Sequence, residues 1–551
     1  MCSFMLQMKQ GAIRNGFSFR GAGRNSCGVG AAPQVVLRIP TTGGGAHPVL
    51  LNNARHDPSL CNAPAAPLSV TPGTAAGWPL AVDLDGTLTY TDTLLESVLV
   101  LLKRNPLYVF AVLFWALSGA RVLKPRVAER VQLNVATLPW RKDLLAWLAQ
   151  QRAAGRTVVL ATAAHRSIAD AVAAHLQLFD QVLATDEHTN LKGERKLAAI
   201  RAAVGAEFVY AGDSAADLPI WRASMAVVFA DVPAALAARA LGARPGTCVE
   251  AAFTQPPAGW RLWLKALRVH QWIKNGLLFV PLFTAFAFTD TGKLLAVLLA
   301  FVGFSLAASG TYVMNDLWDL ESDRQHPRKC ERAFASGRIG VLAGVLAAAG
   351  LVLAGLLVSL WVSSPMAVVL LGYVLLTTSY SWVLKSYVLI DVLMLALLYT
   401  YRVLAGAVAT DIALSPWLLA FSIFTFFSLA LVKRCAELVS LQQLGRVAAR
   451  GRDYRVGDLV VLWPFGASAS ICAIVVFGLY AALPETAARF AHPHVLWLVA
   501  VGLIYWFGRL WIKTARGEMH DDPIVFALRD RGSRITVLAM MLMTTAAYSV
   551  R

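Results

Sequence analysis

Runs of apolar residues, most of them close to the length that a helix needs to cross a bilayer, recur from about residue 260 onward. A spanning helix needs about 20 apolar residues. The chain is 57% hydrophobic and only 15% charged, and the apolar excess is concentrated in this half. The sequence therefore predicts a polytopic membrane bundle with nine spans, at 276–289, 294–314, 340–361, 365–384, 389–410, 416–432, 459–482, 495–512 and 535–550.

Basic residues collect in the links on one side of these spans. The links after the second, sixth and eighth spans are rich in Lys and Arg, whereas the opposite links offer little beyond Lys293 and Arg489. Positively charged loops stay on the cytoplasmic side. We therefore expect a multi-pass protein of the bacterial inner membrane with its charged loops and its N-terminal domain in the cytoplasm. The net charge of +17 then reflects topology, and no nucleic-acid partner is expected.

Composition divides the chain into four segments. Residues 1–76 are rich in Gly, Pro and Ala and are predicted to be a disordered head, with a transit peptide as the alternative. Residues 77–250 alternate β runs with helical stretches, which predicts an α/β domain with a parallel sheet. A helical insertion at 92–138 contains "LYVFAVLFWALSGA", either cap core or a membrane-surface helix. A linker with an interfacial helix, 251–275, leads into the bundle at 276–551.

Polar residues follow the strands of the α/β domain. In "LAVDLDGTLT", Asp83 and Asp85 point to the same side of an extended backbone, and Gly86 permits the turn after them. Ligand sites of such domains lie at the carboxyl ends of the strands. Two acidic pairs with a Lys and a Thr can hold one Mg²⁺ and one phosphoryl group. The other residues of this predicted site are Thr162, Asp213, Asp217 and either Lys192 or Lys196.

This set of motifs resembles the haloacid dehalogenase (HAD) superfamily of phosphatases across residues 78–250. The resemblance implies that Asp83 is the nucleophile and that Asp85 is the general acid and base. It favours Lys196 over Lys192, because the family commonly places this Lys three residues after a Gly, here Gly193. The implied phosphoryl ligands are Thr162 and Lys196, and the implied Mg²⁺ ligands are Asp83, Asp213 and Asp217.

A second acidic motif, NDxxDxxxD, ends the second predicted span. Its offsets of three, four and seven place the four side chains along one helical face. Carboxylates at the end of a span are costly unless they pair or coordinate, which indicates a functional site. Mg²⁺ is a suitable partner, since it binds a few carboxylates and substrate phosphate. The motif comprises Asn315, Asp316, Asp319 and Asp323, and Arg324, His326, Lys329 and Arg332 follow it as candidate phosphate ligands.

Two further polar clusters lie in the membrane half. Asp391 and Arg402 fall within an apolar span and should face the bundle interior. Tyr380 and Lys385 lie across a short link from them, and Lys385 is as well explained by a topological anchor as by a phosphate ligand. The third cluster, "HDDPIVFALRDRGSR", contains Asp521, Asp522, Arg529, Asp530 and Arg531.

The membrane motifs resemble the UbiA superfamily of intramembrane prenyltransferases, from about residue 260 to 551. "LRVHQWIKN" and "YVMNDLWDLESDRQHPRKCERAFASG" are most similar to its decaprenyl-phosphate phosphoribosyltransferase branch. The resemblance implies a nine-helix bundle, a polyprenyl phosphate acceptor and phosphoribosyl pyrophosphate as donor. It assigns Asn315, Asp316, Asp319 and Asp323 to the Mg²⁺–pyrophosphate, and Lys385, Asp391 and Arg402, with Tyr380 nearby, to the reacting acceptor phosphate.

The sequence departs from the family pattern KxxRPxASG, because Ala333 and Phe334 replace Pro and a small aliphatic residue. This departure leaves the identity of the donor open. The second cluster has a single carboxylate, Asp391, with Lys and Arg, which suits an anion better than a second Mg²⁺–diphosphate and favours the phosphoribosyl donor.

The combination predicts a bifunctional enzyme. The transferase half would make a lipid-linked phosphoribose, and the phosphatase half would remove its 5-phosphate on the same membrane face. The alternative within enzymes is transfer of a polyprenyl group from its diphosphate to an aromatic or other acceptor, with an independent phosphatase. The alternative from another class is a catalytically silent transporter or scaffold.

Overall fold

The computed structural model describes residues 77–186, 189–242, 247–446, 452–519 and 522–549. The predicted head at 1–76 lies outside these residues. The described N-terminal part is a parallel sheet in the strand order β3-β2-β1-β4-β5-β6. The strands are β1 (Leu80–Val82), β2 (Val158–His165), β3 (Gln181–Thr185), β4 (Val209–Gly212), β5 (Ala226–Ala230) and β6 (Cys248–Phe253).

Both faces of this sheet are covered by helices. Leu80 and Val82 of β1 belong to one apolar core, while Ala81 between them belongs to the core on the opposite face. Successive side chains of a strand point to opposite faces, and a sheet buried on both faces therefore needs continuous apolar runs. These apolar runs make the strands predictable from the sequence. The predicted α/β class is confirmed.

The helices of this domain fall into an insertion and a set of crossovers. Asp92 caps the first helix of the insertion by accepting from the amides of Leu94 and Leu95. The insertion holds α1 (Thr93–Arg104), α2 (Tyr108–Leu117) and α3 (Ala120–Ala128). The remaining helices are α4 (Lys142–Ala153), α5 (Arg166–Leu176), α6 (Glu194–Val204), α7 (Leu218–Ala223) and α8 (Ala234–Leu241).

The boundary between the domains lies slightly later than the predicted residue 250. Strand β6 pairs with β5 as far as Phe253, so the sheet continues into the predicted linker. The linker then forms the short helix α9 (Trp260–Ala266), and the predicted position of a helix here at the membrane interface stays a prediction.

Seven described helices are long and apolar enough to cross a membrane. They coincide with the second to eighth predicted spans, and the predicted bundle is confirmed. They are α11 (Thr291–Trp318), α13 (Val341–Val362), α14 (Ser364–Trp382), α15 (Ile390–Thr410), α16 (Pro416–Gln443), α17 (Leu459–Ala482) and α19 (Leu496–Ala515). Shorter helices are α10 (Val280–Thr284), α12 (Leu320–Arg324), α18 (Pro484–Arg489) and α20 (Pro523–Arg529), and the last is α21 (Arg531–Ser549).

The first and last predicted spans differ from this set. The span predicted at 276–289 is a 3₁₀ segment, Val269–Phe279, followed by α10. Lys274 and Asn275 of this segment, just before the predicted span, are buried and hydrogen-bonded inside the bundle, as polar residues at membrane depth should be. The span predicted at 535–550 is a helix, but its first turn carries Arg531 and Arg534, which shortens its apolar part.

Helix α16 is longer than the span predicted at 416–432. It continues to Gln443, and Lys433 and Arg434 therefore lie on the helix and not in a link. Arg434 is fully buried and pairs with Asp391 at 2.5 Å. A prediction based on apolar length ends the span at the first charged residues, although a buried ion pair lets the helix continue through them.

The two domains contact each other through the insertion. Leu95 and Leu99 of α1 pack on the apolar cluster that contains Phe334 and Val341 of the bundle. Asn134 also donates a hydrogen bond to Glu321 at 2.9 Å. The phosphatase-like domain is thereby docked on the ends of α11 and α13, where the Asp-rich motif lies.

Candidate active sites

The first site lies at the carboxyl edge of the sheet. Asp83 follows β1 and Asp213 follows β4, and these two strands are direct neighbours in the sheet. Asp217 lies in the short turn after β4. One oxygen of each of these three carboxylates lies within 4.8 Å of the others. The structure therefore brings together the three predicted metal ligands.

Gly86 makes this convergence possible. Its φ is +75°, a conformation that favours glycine, and a Cβ there would lie 2.2 Å from the nearest Oδ of Asp213. The three carboxylates crowd a small volume with little compensating charge, and oxygen ligands of this kind suit Mg²⁺. The arrangement fits the metal that the sequence predicts.

Lys196 supplies the basic group of the site. Its Nζ lies 2.7 Å from Oδ2 of Asp83 and 3.7 Å from Oδ1 of Asp217. It also donates to the hydroxyl of Tyr210 at 3.0 Å, and that hydroxyl donates to Asp217 at 2.8 Å. Sequence reasoning missed Tyr210, although it lies on β4, three residues before Asp213. Its position inside a buried strand resembles that of a core residue.

Burial changes the acid–base behaviour of these groups. Burial, together with the nearby carboxylates of Asp83 and Asp217, raises the pKa of Asp213 to about 8 against the opposing charge of Lys196. Burial, with the nearby Asp92, raises the pKa of Asp85 to about 7, although the amide of Thr93 donates to Asp85 at 2.8 Å and opposes the change. A carboxyl group with a pKa near neutrality can both donate and accept a proton, as the predicted role of Asp85 requires.

The carboxylates open into a cavity of about 480 Å³. Thr162, a predicted phosphoryl ligand, is fully buried, and its Oγ1 accepts from the amide of Ala164 at 3.0 Å. The wall next to it is formed by Ala163, Ala164 and His165. The assignment of Thr162 to phosphoryl binding therefore stays a prediction. Lys192, which the sequence left as an alternative to Lys196, lines the same cavity.

The Asp-rich motif lies at the end of α11 and in α12. Asp316 pairs with Arg268 and with Arg332, the latter at 3.0 Å. Arg332 also reaches Asp323 at 2.6 Å. The carboxylates and the amide of Asn315 are suitable Mg²⁺ ligands, but in this arrangement basic side chains hold the carboxylates.

Lys385 connects the two predicted membrane clusters. Its Nζ lies 3.2 Å from Asp319, so the link after α14 meets the Asp-rich motif. Lys329 lies 3.8 Å from Asp323, and Arg324 forms an ion pair with Glu96 of α1. The structure thus groups Lys385, Lys329 and Arg332 with the motif, whereas it places Arg324 in the contact between the domains.

Asp391 lies deeper in the bundle. It is fully buried, accepts from the hydroxyl of Tyr380 at 2.8 Å and pairs with Arg434 at 2.5 Å. Arg402 is also buried and donates to Asn275 and Tyr373 at 2.9 and 2.7 Å. These two predicted acceptor-binding residues both have partners within the protein, and their predicted roles stay untested.

The third cluster contributes Asp522, which caps α20, while Asp521 lies outside the described residues. Burial alone would raise the pKa of Asp522, but Lys274 at 2.8 Å and Lys433 at 3.4 Å hold it well below its usual range. Tyr399 donates to the same carboxylate at 3.0 Å. The ion pairs of Asp522 therefore connect the start of α20 to α16 and to the 3₁₀ segment before α10.

Several of these partners were not predicted from sequence as site residues. They are Arg268, Lys274 and Arg434, and each lies in or beside an apolar stretch. Their charge could have indicated them in the sequence, because an ionised residue within an apolar stretch needs a partner inside the bundle. The sequence could not show which carboxylate each of them meets.

The fold and the two sites define an integral membrane transferase with a phosphatase-type domain at its N-terminus. The sequence matches the UbiA prenyltransferase family over residues 277–530 and the haloacid dehalogenase-like hydrolases over residues 80–222. The chain belongs to the UbiA prenyltransferase family and carries a HAD-like domain fused to it. Enzymes of both families depend on Mg²⁺.

Relatives are found both for the whole fusion and for the membrane part. The uncharacterized protein y4nM of Sinorhizobium fredii is 37% identical over 456 residues, which cover 83% of this chain and 88% of that protein. Nodulation protein NoeC of Azorhizobium caulinodans is 35% identical, covering 51% of this chain and 91% of NoeC. Decaprenyl-phosphate phosphoribosyltransferase of Mycobacterium tuberculosis is 30% identical, covering 54% of this chain and 97% of that enzyme.

Solved structures of similar proteins cover about half of the chain. A digeranylgeranylglyceryl phosphate synthase is 18% identical with a TM-score of 0.39, covering 53% of this chain and 99% of that one. A UbiA homologue from Archaeoglobus fulgidus bound to GPP and Mg²⁺ is 16% identical with a TM-score of 0.39, covering 52% and 100% of the two chains.

Proposed function

We propose that this enzyme transfers phosphoribose from phosphoribosyl pyrophosphate to a polyprenyl phosphate and then removes the 5-phosphate of the product. The observation that carries the proposal is the ion pair between Arg324 and Glu96. Arg324 directly follows the Asp-rich motif, and Glu96 lies on α1, whose Thr93 amide binds Asp85 of the phosphatase site. The two sites therefore share one interface on the same side of the protein.

In the transfer step, a phosphate oxygen of the polyprenyl phosphate attacks the anomeric carbon of the donor, and the bond from that carbon to pyrophosphate breaks. Arg268, Arg332 and Lys385 form ion pairs with the motif carboxylates, and in this proposal they bind the pyrophosphate oxygens of the donor. Bound Mg²⁺ would neutralise the charge of the leaving pyrophosphate. Asn315, Asp316, Asp319 and Asp323 are the proposed ligands.

The lipid tail also has a place in this proposal. A groove of about 290 Å³ lies between α11, α13 and α14. Thr311 and Met314 line it, within about one and a half helical turns of Asp316, and its other walls are mostly apolar. An isoprenoid chain suits such a surface, because its burial removes apolar area from water.

In the second step, the carboxylate of Asp83 attacks the 5-phosphate and forms an aspartyl phosphate, while the ribose 5-oxygen leaves with a proton from Asp85. Water then cleaves the aspartyl phosphate, and Asp85 accepts the proton of that water. Lys196, at 2.7 Å from Asp83, would bind the phosphoryl oxygens that gather negative charge. Asp213 and Asp217 complete the proposed Mg²⁺ set with Asp83.

The test uses the purified full chain with Mg²⁺, phosphoribosyl pyrophosphate and polyprenyl phosphate, and mass spectrometry of the lipid. We expect wild type to yield lipid-linked ribose, Asp83→Asn to accumulate lipid-linked phosphoribose, and Asp319→Asn to yield neither. If Asp83→Asn leaves the yield of dephosphorylated lipid unchanged, the coupled scheme fails. A parallel reaction with a polyprenyl diphosphate and an aromatic acceptor detects the alternative transfer, whose product would overturn the phosphoribosyl assignment.

A further inference from the structure

The outer face of α2 is an exposed apolar surface on the N-terminal domain. Phe110, Phe114 and Leu117 are 70%, 68% and 90% exposed, and Leu113 between them is 57% exposed. These positions follow the spacing i, i+3, i+4 and i+7, so they form a single helical face. An exposed apolar face of this kind marks an interaction surface.

The opposite face of α2 is already used. Val112 and Trp115 pack on a small core that contains Leu101 of α1 and Val127 of α3. The insertion is therefore a folded helical unit whose inner side is satisfied. The outer side of α2 needs a separate partner.

Charge around α2 indicates what that partner is. Residues 103–130 contain six basic residues and one acidic residue, Glu129. Arg104, Arg121 and Arg126 are exposed at the two ends of the apolar helix. An apolar helix flanked by Lys and Arg is suited to anionic lipid headgroups. At 10 residues, α2 is about 15 Å long, too short to cross a bilayer.

The position of the insertion is also suitable. Helix α1, which leads into α2, packs on α11 and α13 of the bundle. Leu342 and Leu346, in the first two turns of α13, point outward and are 54% and 64% exposed. The lipid-facing surface of the bundle thus begins close to the helix that carries α2.

We propose that α2 inserts its outer face into the same bilayer as the bundle and anchors the phosphatase site at the membrane surface. The neighbouring α3 connects the anchor to that site, because Lys124, Val127 and Ala128 line the phosphatase cavity. Lys124 also donates to the carbonyl of Ala163 in the cavity wall at 2.6 Å. The cavity is then presented to phosphomonoesters carried by membrane lipids, and this assignment of substrate class rests on the proposed function.

The anchor is tested in the full chain, in nanodiscs of phosphatidylcholine and phosphatidylglycerol. A nitroxide is placed at residue 110 or 117 of a cysteine-free variant, and its accessibility to oxygen and to a water-soluble nickel complex is measured. We expect oxygen access to dominate at both positions. A nitroxide at Ala206, exposed at the opposite edge of the sheet, should show the reverse. Nickel-dominated access at 110 and 117 would overturn the anchor, as would spin–spin coupling between two copies.

The substrate class is tested with two phosphatase substrates, dioleoylphosphatidic acid in the nanodisc and soluble p-nitrophenyl phosphate. The double variant Phe110→Glu with Phe114→Glu should lose tenfold or more in kcat/KM for the lipid, and keep its rate with the soluble ester. The matched variant Phe110→Leu with Phe114→Leu should retain both. Equal loss for both substrates would overturn the lipid assignment.

The two proposals fail differently. If wild type hydrolyses p-nitrophenyl phosphate but no lipid phosphate, the dephosphorylation step of the proposed function and the substrate class both fail. The nitroxide result still decides the anchor, because it measures depth in the bilayer and requires no turnover.

Discussion

At the scale of single residues, the phosphatase site concentrates several carboxylates in a small volume. Asp83, Asp213 and Asp217 converge around one basic group, Lys196. Burial and mutual repulsion raise the pKa of Asp213 to about 8. Near neutral pH, one of these carboxyl groups therefore holds a proton until a cation replaces it.

Because of this proton, we expect Mg²⁺ binding to depend on pH. A metal ligand must be deprotonated, so binding releases the proton and the affinity rises with pH until the pKa of Asp213 is passed. We expect the Mg²⁺ activation constant for p-nitrophenyl phosphate hydrolysis to fall about tenfold between pH 6 and pH 7 and to level off above about pH 8. The constant is measured by titrating Mg²⁺ at each pH. An activation constant independent of pH over this range would contradict the expectation.

At the scale of elements, glycines set the distance between α11 and α13. A Cβ at Gly355 would lie 2.6 Å from the carbonyl oxygen of Gly303, whereas a Cβ at Gly350, on the same helix, meets nothing within 4 Å. Small residues let membrane helices approach closely. Comparing alanine substitutions at Gly355 and Gly350 therefore separates the effect of packing from that of helix propensity.

Gly355→Ala should destabilise the bundle by about 1 to 3 kcal/mol, because the backbone of α11 must move to admit the methyl group. Gly350→Ala should be neutral or slightly stabilising, since Ala favours the helix more than Gly does. Unfolding of the full chain in detergent, followed by tryptophan fluorescence, measures both. The same loss from both variants would show that close approach is not the cause.

At the scale of the whole molecule, a buried ion pair connects the two domains. The side chains of Arg324 and Glu96 are only 7% and 6% exposed. Arg324 also donates to the carbonyl of Ala335, and the hydroxyl of Thr91 donates to Glu96 at 2.7 Å. Both charges are thus held by several bonds at the domain contact.

Removing one partner of this pair leaves the other charge buried. Arg324→Ala should therefore destabilise the docked chain by about 3 kcal/mol, visible as a lower unfolding temperature. The joint change Arg324→Met with Glu96→Leu should recover most of the loss, because it removes both charges. Arg328→Ala, an exposed arginine in the same loop, is the control and should change little. A full-sized loss in the joint variant would argue against the unpaired charge as the cause.

The proposed orientation of the whole chain has a direct test. If the phosphatase domain and the charged loops are cytoplasmic, a cysteine at residue 328 of a cysteine-free variant should react with an impermeant maleimide only in inverted membrane vesicles. A cysteine at Arg489, in the link after α17, should react in intact cells. Labelling with the opposite pattern would reverse the orientation.

Sequence patterns predicted the α/β domain and the bundle, while the roles they assign to the acidic residues stay predictions. Strands buried on both faces and spans facing lipid both need continuous apolar runs, which are visible without coordinates. The prediction was less accurate where charge lies inside apolar stretches. Lys433 and Arg434 were expected in a link, and the span at 276–289 was expected as a regular helix.

The set of elements and the chemistry of the residues at their ends follow from the amino-acid sequence alone, because apolar period and residue type are local properties. Which charged side chains pair with each other depends on the tertiary structure. The pairs Lys385 with Asp319, Arg434 with Asp391 and Arg324 with Glu96 join residues 66, 43 and 228 positions apart. Such pairing depends on how helices pack, and a buried charge is stabilised by the partner that packing brings to it.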